Sequence, residues 1–406
     1  MAAYQEHIPT RSESQRYSHR HSHTTPSNKM IALGDIYKVV EAMAPLYFAL
    51  GLGYGSVRWW RFFTAEQCGA INTLVVCFSM PFFTFDFVVR ADPYAMNYRV
   101  IAADAVAKLL AVLAAAVWAR CAKAKAGAYS WSITGFSLGA YNNTLVVGVP
   151  LLDAMYGKWA QDLIVQIAVV QAILWFPLLL LAFELRKAWV VGGASSLSTA
   201  TAHDDGSTSS DDDQARRIEP VSHSDVEVDL DVEAAPPTGG RRIRLWPMAS
   251  TVGMKLARNP NVYASVLGVA WACIAYRWRI GMPGIVTGSL QVMSRTGTGM
   301  SMFSMGLFMA QQERTVACGG GLAALGMVLR FVAGPLAALA GAAAFGLRGD
   351  VLRFAIIQAA LPQSIASFVF AKEYGLHADV LSTAVIFGTL VSLPVLIGYY
   401  GVLDIV

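Results

Sequence analysis

The sequence predicts an all-α integral membrane protein of ten transmembrane helices in two inverted five-helix repeats, with a proline-broken crossover of the fourth and ninth helices. Three observations lead there. Charge is scarce: 14% of the 406 residues are Asp, Glu, Lys or Arg and 55% are hydrophobic, whereas soluble domains carry about 25% charged residues. The apolar residues come in runs close to the roughly 20 residues that cross a hydrocarbon core about 30 Å thick. The fourth run of each half is interrupted by a proline beside amide side chains.

The runs cover residues 36–57, 66–89, 98–120, 131–156 and 161–185, then 260–280, 284–311, 320–345, 351–374 and 379–404. A polar stretch rich in Ser, Asp, Thr and Gly separates the two sets of five. It cannot bury enough apolar surface to offset its ordering entropy, so it reads as a disordered loop. The chain therefore divides into a disordered tail over 1–29, a first repeat over 30–186, a disordered loop over 187–258 and a second repeat over 259–406. An odd number of helices per repeat makes the second repeat enter the membrane from the opposite side. Loops after odd-numbered spans hold sixteen Lys and Arg against seven on the other side. Long loops vote poorly, and setting aside the nine in the central loop leaves seven on each side.

The fourth span reads "NNTLVVGVPLL" from Asn142, with its break expected at Pro150. The ninth reads "IIQAALPQSIASFVFAKEYG", with its break at Pro362 among Gln358, Gln363, Ser364 and Ser367. Proline removes a backbone donor and clashes with the preceding turn. Backbone groups freed inside a membrane persist only beside a cavity or buried in protein. Either proline alone reads as a packing kink. Two at matched positions beside amides point to a substrate site at mid-membrane, where half-helix N-termini attract anions. Asn143 adds a neutral amide that both donates and accepts.

Other polar residues fall inside spans. Asp104 and Lys108 are four apart in the third span, on one helical face. Intramembrane charges usually face a cavity or one another, so the pair reads as support for the site, against a self-neutralising packing pair. Thr84 and Asp86 follow Pro81 in the second span, Gln166 and Gln171 lie in the fifth, and Arg295 stands alone in the seventh. The five cysteines have no CxxC spacing and read as small buried apolar residues. His19, His21 and His23 alternate in a polar tail without the apolar core of a signal peptide. A net charge of +4 gives no sign of nucleic acid. There is no P-loop, HExxH or GxSxG motif, so neither an enzyme nor a cofactor site is expected.

Several long segments, in order, carry a resemblance: "PLYFALGLGYGSVRWWRFFTAEQCGAIN", "DPYAMNYR", "AADAVAKL", "NTLVVGVPLL", "VQIAVVQAILWF", "RNPNVYAS", "GMSMFSMGLFMA" and "FVFAKEYGLHADVLSTAVIFGTLVSLPV". They resemble the PIN-type auxin efflux carriers of plants over nearly all of residues 30–185 and 250–402. The resemblance implies inverted repeats of the sodium/proton-antiporter and bile-acid-transporter type, divided into scaffold and transport parts that work by elevator-like alternating access. It implies a homodimer in a lipid bilayer, outward-facing termini and a cytoplasmic loop. In that loop Ser209 and Ser210 before Asp211, Asp212 and Asp213 read either as a context for kinases or as a plain acidic solvated stretch. The implied substrate is the indole-3-acetate anion, moved without an obligatory coupling ion or cofactor. Substrate contacts fall on Asn143, Pro150, Pro362, Gln171, Asn261 and Thr84, and a support site on Asp104 and Lys108, with Thr84 beside it. This chain departs from the family at Tyr141–Asn142 (usually Leu-Pro), Thr84 (usually Ser), Phe176 (usually Tyr) and Arg295 (usually acidic). The threonine-proline-arginine phosphorylation motif of long-looped members is missing. Members with the shortest loops work at the endoplasmic reticulum. The somewhat longer loop here favours the plasma membrane, with the endoplasmic reticulum as the alternative. The competing functions are an ion-coupled organic-anion antiporter and a non-transporting receptor on the same fold.

Overall fold

The computed structural model of the chain describes residues 33–121, 127–187, 250, 252–254, 257–312, 316 and 318–405. The expected tail over 1–29 and nearly all of the expected central loop lie outside these residues. Regular structure among the described residues is helical, apart from one isolated antiparallel bridge between Asn142 and Gln363. The helices of the first half are α1 (Leu33–Arg58), α2 (Ala65–Arg90), α3 (Tyr98–Cys121), α4 (Ala128–Ala140), α5 (Thr144–Tyr156) and α6 (Lys158–Lys187). Those of the second half are α7 (Pro260–Trp278), α8 (Gly284–Gln311), α9 (Gly320–Ala344), α10 (Asp350–Ala359), α11 (Ile365–Glu373) and α12 (Ala378–Ile405). Six of them, α1, α2, α3, α6, α9 and α12, are long and apolar enough to cross a membrane. The expected fourth and ninth spans are each two shorter helices, α4–α5 and α10–α11.

Proline controls the local geometry in a way the sequence did not announce. Among the described residues there are four five-residue π-helical turns, at Val75–Ser79, Thr144–Gly148, Gln171–Trp175 and Leu329–Ala333. Each ends two residues before a proline, namely Pro81, Pro150, Pro177 and Pro335. A proline ring collides with the carbonyl four residues back. That carbonyl belongs here to Cys77, Val146, Ile173 or Phe331, always inside the widened turn. The extra residue re-aims the carbonyl, and the helix continues. Pro45 and Pro394 stand inside α1 and α12.

This corrects the expected break at Pro150. Residues 144 to 156 run on as one helix through Pro150, because the π turn absorbs the ring. The chain breaks seven residues earlier, at Tyr141–Asn143, where α4 ends. The break at Pro362 stands where expected, between α10 and α11. The cysteine reading is corrected as well. Cys68 is buried, Cys273 and Cys318 are half-buried, and Cys77 is exposed on the outer face of the π turn in α2.

Packing sorts the helices into two sets. In one, α1 lies along α8, and α2 packs on α7 and α8. In the other, α3 packs on α4 and α9, α9 on α10 and α12, α5 on α6, and α11 on α12. The sets meet mainly where α1 touches α5 and where α7 touches the π turn of α6. Backbones within the first set come into contact at glycines. A Cβ on Gly306 would stand 2.1 Å from the Leu50 carbonyl oxygen, and one on Gly53 would stand 2.1 Å from that of Phe303. In the second set, a Cβ on Gly341 would stand 2.3 Å from the Ala103 carbonyl oxygen. Small residues of this kind let membrane helices approach closely, with van der Waals packing in place of a hydrophobic drive.

Gly306→Ala therefore forces α1 and α8 apart, because the obstacle is backbone and cannot rotate away. The expected cost is about 1–3 kcal/mol, read as a lower melting temperature of the purified protein in detergent. Gly299→Ala in the same helix meets nothing within 4 Å and is expected to leave that temperature unchanged or raise it.

Candidate functional site

The two breaks lie against each other. The Asn143 N–H donates to the Pro362 carbonyl (2.9 Å), and the Ser364 N–H donates to the Tyr141 carbonyl (3.1 Å). Each interrupted segment thus satisfies part of the backbone that the other leaves bare, as a water-poor interior demands. Tyr141 anchors its side of the crossing. It is fully buried, its hydroxyl donates to the Trp175 carbonyl, and its ring packs 5.1 Å from Phe176 and 5.5 Å from Phe136.

Arg330 of α9 supplies most of the remaining donors, and it has no solvent exposure. Its Nε donates to the Leu361 carbonyl (2.5 Å). Nη1 donates to the carbonyls of Leu138 (3.1 Å) and Tyr141 (3.5 Å). Nη2 donates to Asn142 Oδ1 (2.5 Å) and the Ala359 carbonyl (3.1 Å). The four carbonyls belong to the C-terminal ends of α4 and α10 and the residues just beyond them. Those ends carry the negative pole of each half-helix dipole, where a cation is favourable. Sequence reading passed over Arg330. The signal was present, an arginine in the middle of the apolar run "GMVLRFVAGPL", and intramembrane charge is a functional marker.

From Arg330 the network runs to the paired charges. Asn142 Nδ2 donates to the Gln358 carbonyl (2.6 Å) and to Gln358 Oε1 (3.2 Å). Gln358 Nε2 donates to Asp104 Oδ1 (3.2 Å), and Lys108 Nζ donates to Asp104 Oδ2 (2.7 Å). Lys108 also stands 5.6 Å from the centre of the Trp175 ring, within cation–π range. Gln171 Nε2 donates to the Asn142 carbonyl (3.0 Å). Asp104, Lys108, Gln171, Pro362 and the two asparagines thus share one buried cluster.

Other expected site residues stand apart from it. Thr84 is buried in α2, in the first set of helices, with no hydrogen bond to the breaks. Asn261 lies in the first turn of α7, whose cap is the Asn259 side chain accepting from the Asn261 N–H (3.0 Å). Pro150 is half-buried within α5. Gln166 accepts from the Asn97 N–H (3.0 Å) and joins α6 to the entrance of α3. Asp86 holds Arg90 (2.8 Å) and accepts from Ser294 (2.9 Å), while Arg295 is exposed.

Polar capacity is left over around the breaks. Gln171 Oε1, Gln363 Oε1, Ser137 Oγ and, on α7, Asn261 Oδ1 are buried without a partner. Asn143 is nine-tenths buried and its side-chain amide holds no hydrogen bond. Neither Asn143 nor Ser364 caps the helix it precedes with its side chain. The N-terminal ends of α5 and α11 are therefore uncapped, while Arg330 neutralises the C-terminal ends of α4 and α10. Such a centre presents positive poles and neutral amides, which is chemistry for an anion with a polar, hydrogen-bonding head.

Broken helices meeting in the core of a chain with several membrane-crossing helices are the architecture of a membrane transporter. Residues 38–400 match the family described as membrane transport protein. A probable auxin efflux carrier component 5c of Oryza sativa subsp. japonica is 76% identical over 93% of this chain and 100% of its own length. Auxin efflux carrier components 5 and 8 of Arabidopsis thaliana are 52% and 37% identical, again over 93% of this chain and 100% of their own lengths. The chain belongs to the auxin efflux carrier family of plants, which are membrane transporters and not enzymes.

The two asparagines are expected to separate in a stability measurement. Asn142→Ala strips a partner from the Arg330 guanidinium and from Gln358. Each buried group so orphaned costs about 1–3 kcal/mol, and the melting temperature in detergent falls. Asn143→Ala removes an amide that binds nothing in the protein, so its melting temperature stays at the wild-type value.

Proposed function

We propose that the chain is an auxin efflux carrier that moves the indole-3-acetate anion across a membrane by elevator-like alternating access. The observation that carries this reading is the asymmetry at the breaks: the negative half-helix ends are occupied by Arg330 and the positive ends are open. The carboxylate meets the open N–H groups and the Asn143 amide, and the amides of Gln171 and Asn261 serve the rest of the molecule. The similar rice and Arabidopsis proteins are named auxin efflux carriers, which supports an auxin as the substrate. The division into two helix sets supports a scaffold of α1, α2, α7 and α8 and a moving part of the other helices. On this reading, residues 30–186 and 259–406 are inverted repeats, α4–α5 and α10–α11 are their crossover, Asp104 and Lys108 support it from α3, and the protein is a homodimer. The plasma membrane is the proposed location, with the endoplasmic reticulum as the alternative. A fluorescent fusion viewed in plant cells decides between them.

The test is flux of labelled indole-3-acetate in vesicles holding the purified protein. Transport is expected to follow an imposed membrane potential, worth about 2.3 kcal/mol per charge per 100 mV. Flux that ignores the potential and follows a sodium or proton gradient would support the ion-coupled antiporter instead. Binding without flux would support the receptor.

Two substitutions probe the site in the same vesicles. Asn143→Ala is expected to weaken indole-3-acetate binding by about 1.5–3 kcal/mol, the worth of one charge-assisted hydrogen bond, or one to two decades in affinity. Asp104→Asn is expected to lower turnover by disturbing Lys108 and Gln358, with part of the loss recovered when Asp104→Lys is combined with Lys108→Asp. Wild-type turnover by folded Asp104→Asn protein would reduce that pair to packing.

A further inference from the structure

We infer that Arg330 sets the charge of the empty moving part at +1, so that the potential acts on the return of the empty carrier and not on the passage of the loaded one. The inference rests on the elevator reading and extends it to which half of the cycle moves charge. It begins with a count. In α3, α4, α5, α6, α9, α10, α11 and α12, the charged residues away from helix ends are Asp104, Lys108 and Arg330. Every other charged side chain in those helices lies in the first or last five residues of its helix, where water and headgroups reach it.

The sum over the three does not depend on where the shared proton sits. Lys108 and Asp104 are 2.7 Å apart. As an ion pair or as a neutral amine and acid, they contribute zero together. Arg330 remains, and a guanidinium stays protonated in proteins. Its five hydrogen-bond partners are four carbonyls and one amide oxygen, all neutral. Among the described residues no carboxylate pairs with it. Helix dipoles add no net charge, since each half-helix carries equal and opposite ends.

Arg330 is also bound to the breaks on both sides and must travel with them. An empty moving part then carries +1 through the field, and one loaded with a monovalent carboxylate carries zero. One negative charge leaves per cycle in either description, so the energetics of net export are unchanged. The difference lies in which step feels the field. A negative interior draws the empty, positive carrier back to face it. Arg330 is thus a positioning residue for the two breaks and the counter-charge for the substrate, without a required contact to it.

The experiment uses the full chain in vesicles with a potassium diffusion potential, comparing two fluxes of labelled indole-3-acetate. Exchange, with saturating unlabelled indole-3-acetate on both sides, uses only loaded passages. Net efflux into substrate-free medium also uses the empty return. Wild-type exchange is expected to be the same at zero and at 100 mV, interior negative, while net efflux rises at least about twofold. One whole charge crossing the full field shifts the distribution by about 50-fold per 100 mV, so a twofold change in rate is a modest demand. Arg330→Gln makes the loaded part −1, and its exchange is expected to become potential-dependent. Arg330→Lys keeps the charge and is expected to keep exchange independent of potential. Wild-type exchange that follows the potential as steeply as net efflux overturns the inference, and so does potential-independent exchange by Arg330→Gln. The wild-type comparison decides even if Arg330→Gln does not fold. Absence of flux above protein-free vesicles would instead overturn the transport reading beneath it.

Discussion

A helix interrupted inside a membrane leaves carbonyls that no water can satisfy, and in this protein one guanidinium meets them. Arg330 is the only side-chain type with enough donors in a fixed fork to reach two helix ends at once. Its hydrogen bonds join α9 to the end of the next helix, α10, and to the end of α4, which is about 190 residues away in the chain. A hydrogen bond to a charged group contributes about 1.5–3 kcal/mol net. Leaving buried partners bare costs a further penalty of about 1–3 kcal/mol per group. The meeting of the two breaks rests on that residue together with the two backbone hydrogen bonds that join them.

The consequence for function is a sorting of charge by position. Backbone negative poles and a permanent cation cancel on one side of each break. On the other side the positive poles stay uncapped, with Asn143 beside one of them. A lysine there would bind an anion more tightly, and would also hold it. Neutral amides and dipole ends attract a carboxylate without trapping it, which suits the proposed site, where a carried anion must be released. The Lys108–Asp104–Gln358–Asn142 chain then fixes the crossing from the side of α3. Two of its members, Asp104 and Gln358, line a small cavity with Ala103, Ile167, Ala338 and Ala355.

The same backbone logic explains how a chain with many prolines builds continuous membrane helices. Each of four prolines is preceded by a π turn that moves the clashing carbonyl aside. The turn at Gln171–Trp175 matters most for the site. It places Gln171 against the Asn142 carbonyl and the Trp175 carbonyl over the Tyr141 hydroxyl, and it is where α7 touches α6. Glycine acts in the opposite sense in the first helix set, where Gly53 and Gly306 bring α1 and α8 to backbone contact. Tight packing within each set and sparser contact between them are what relative sliding requires.

Sequence alone determined the helical class, most helix extents and the pairing of Asp104 with Lys108, because these rest on local quantities: apolar run length and a spacing of one helical turn. The stretch 98–120 emerged as the helix Tyr98–Cys121 for that reason. Sequence also marked the two interrupted segments, since proline and amides in an apolar run are conspicuous in one dimension. It did not determine where the first break falls, because a proline clash can be relieved by a widened turn, and the choice of Tyr141–Asn143 over Pro150 comes from contacts with Pro362 and Ser364. Nor did it separate Asn142 from Asn143, which differ only in what lies across from them. Arg330 was legible as a costly charge, but not as the group that joins the breaks. Its partners lie about 30 residues away on one side and nearly 190 on the other. Long-range satisfaction of buried polar groups is a property of three dimensions, and only the tertiary structure decided it.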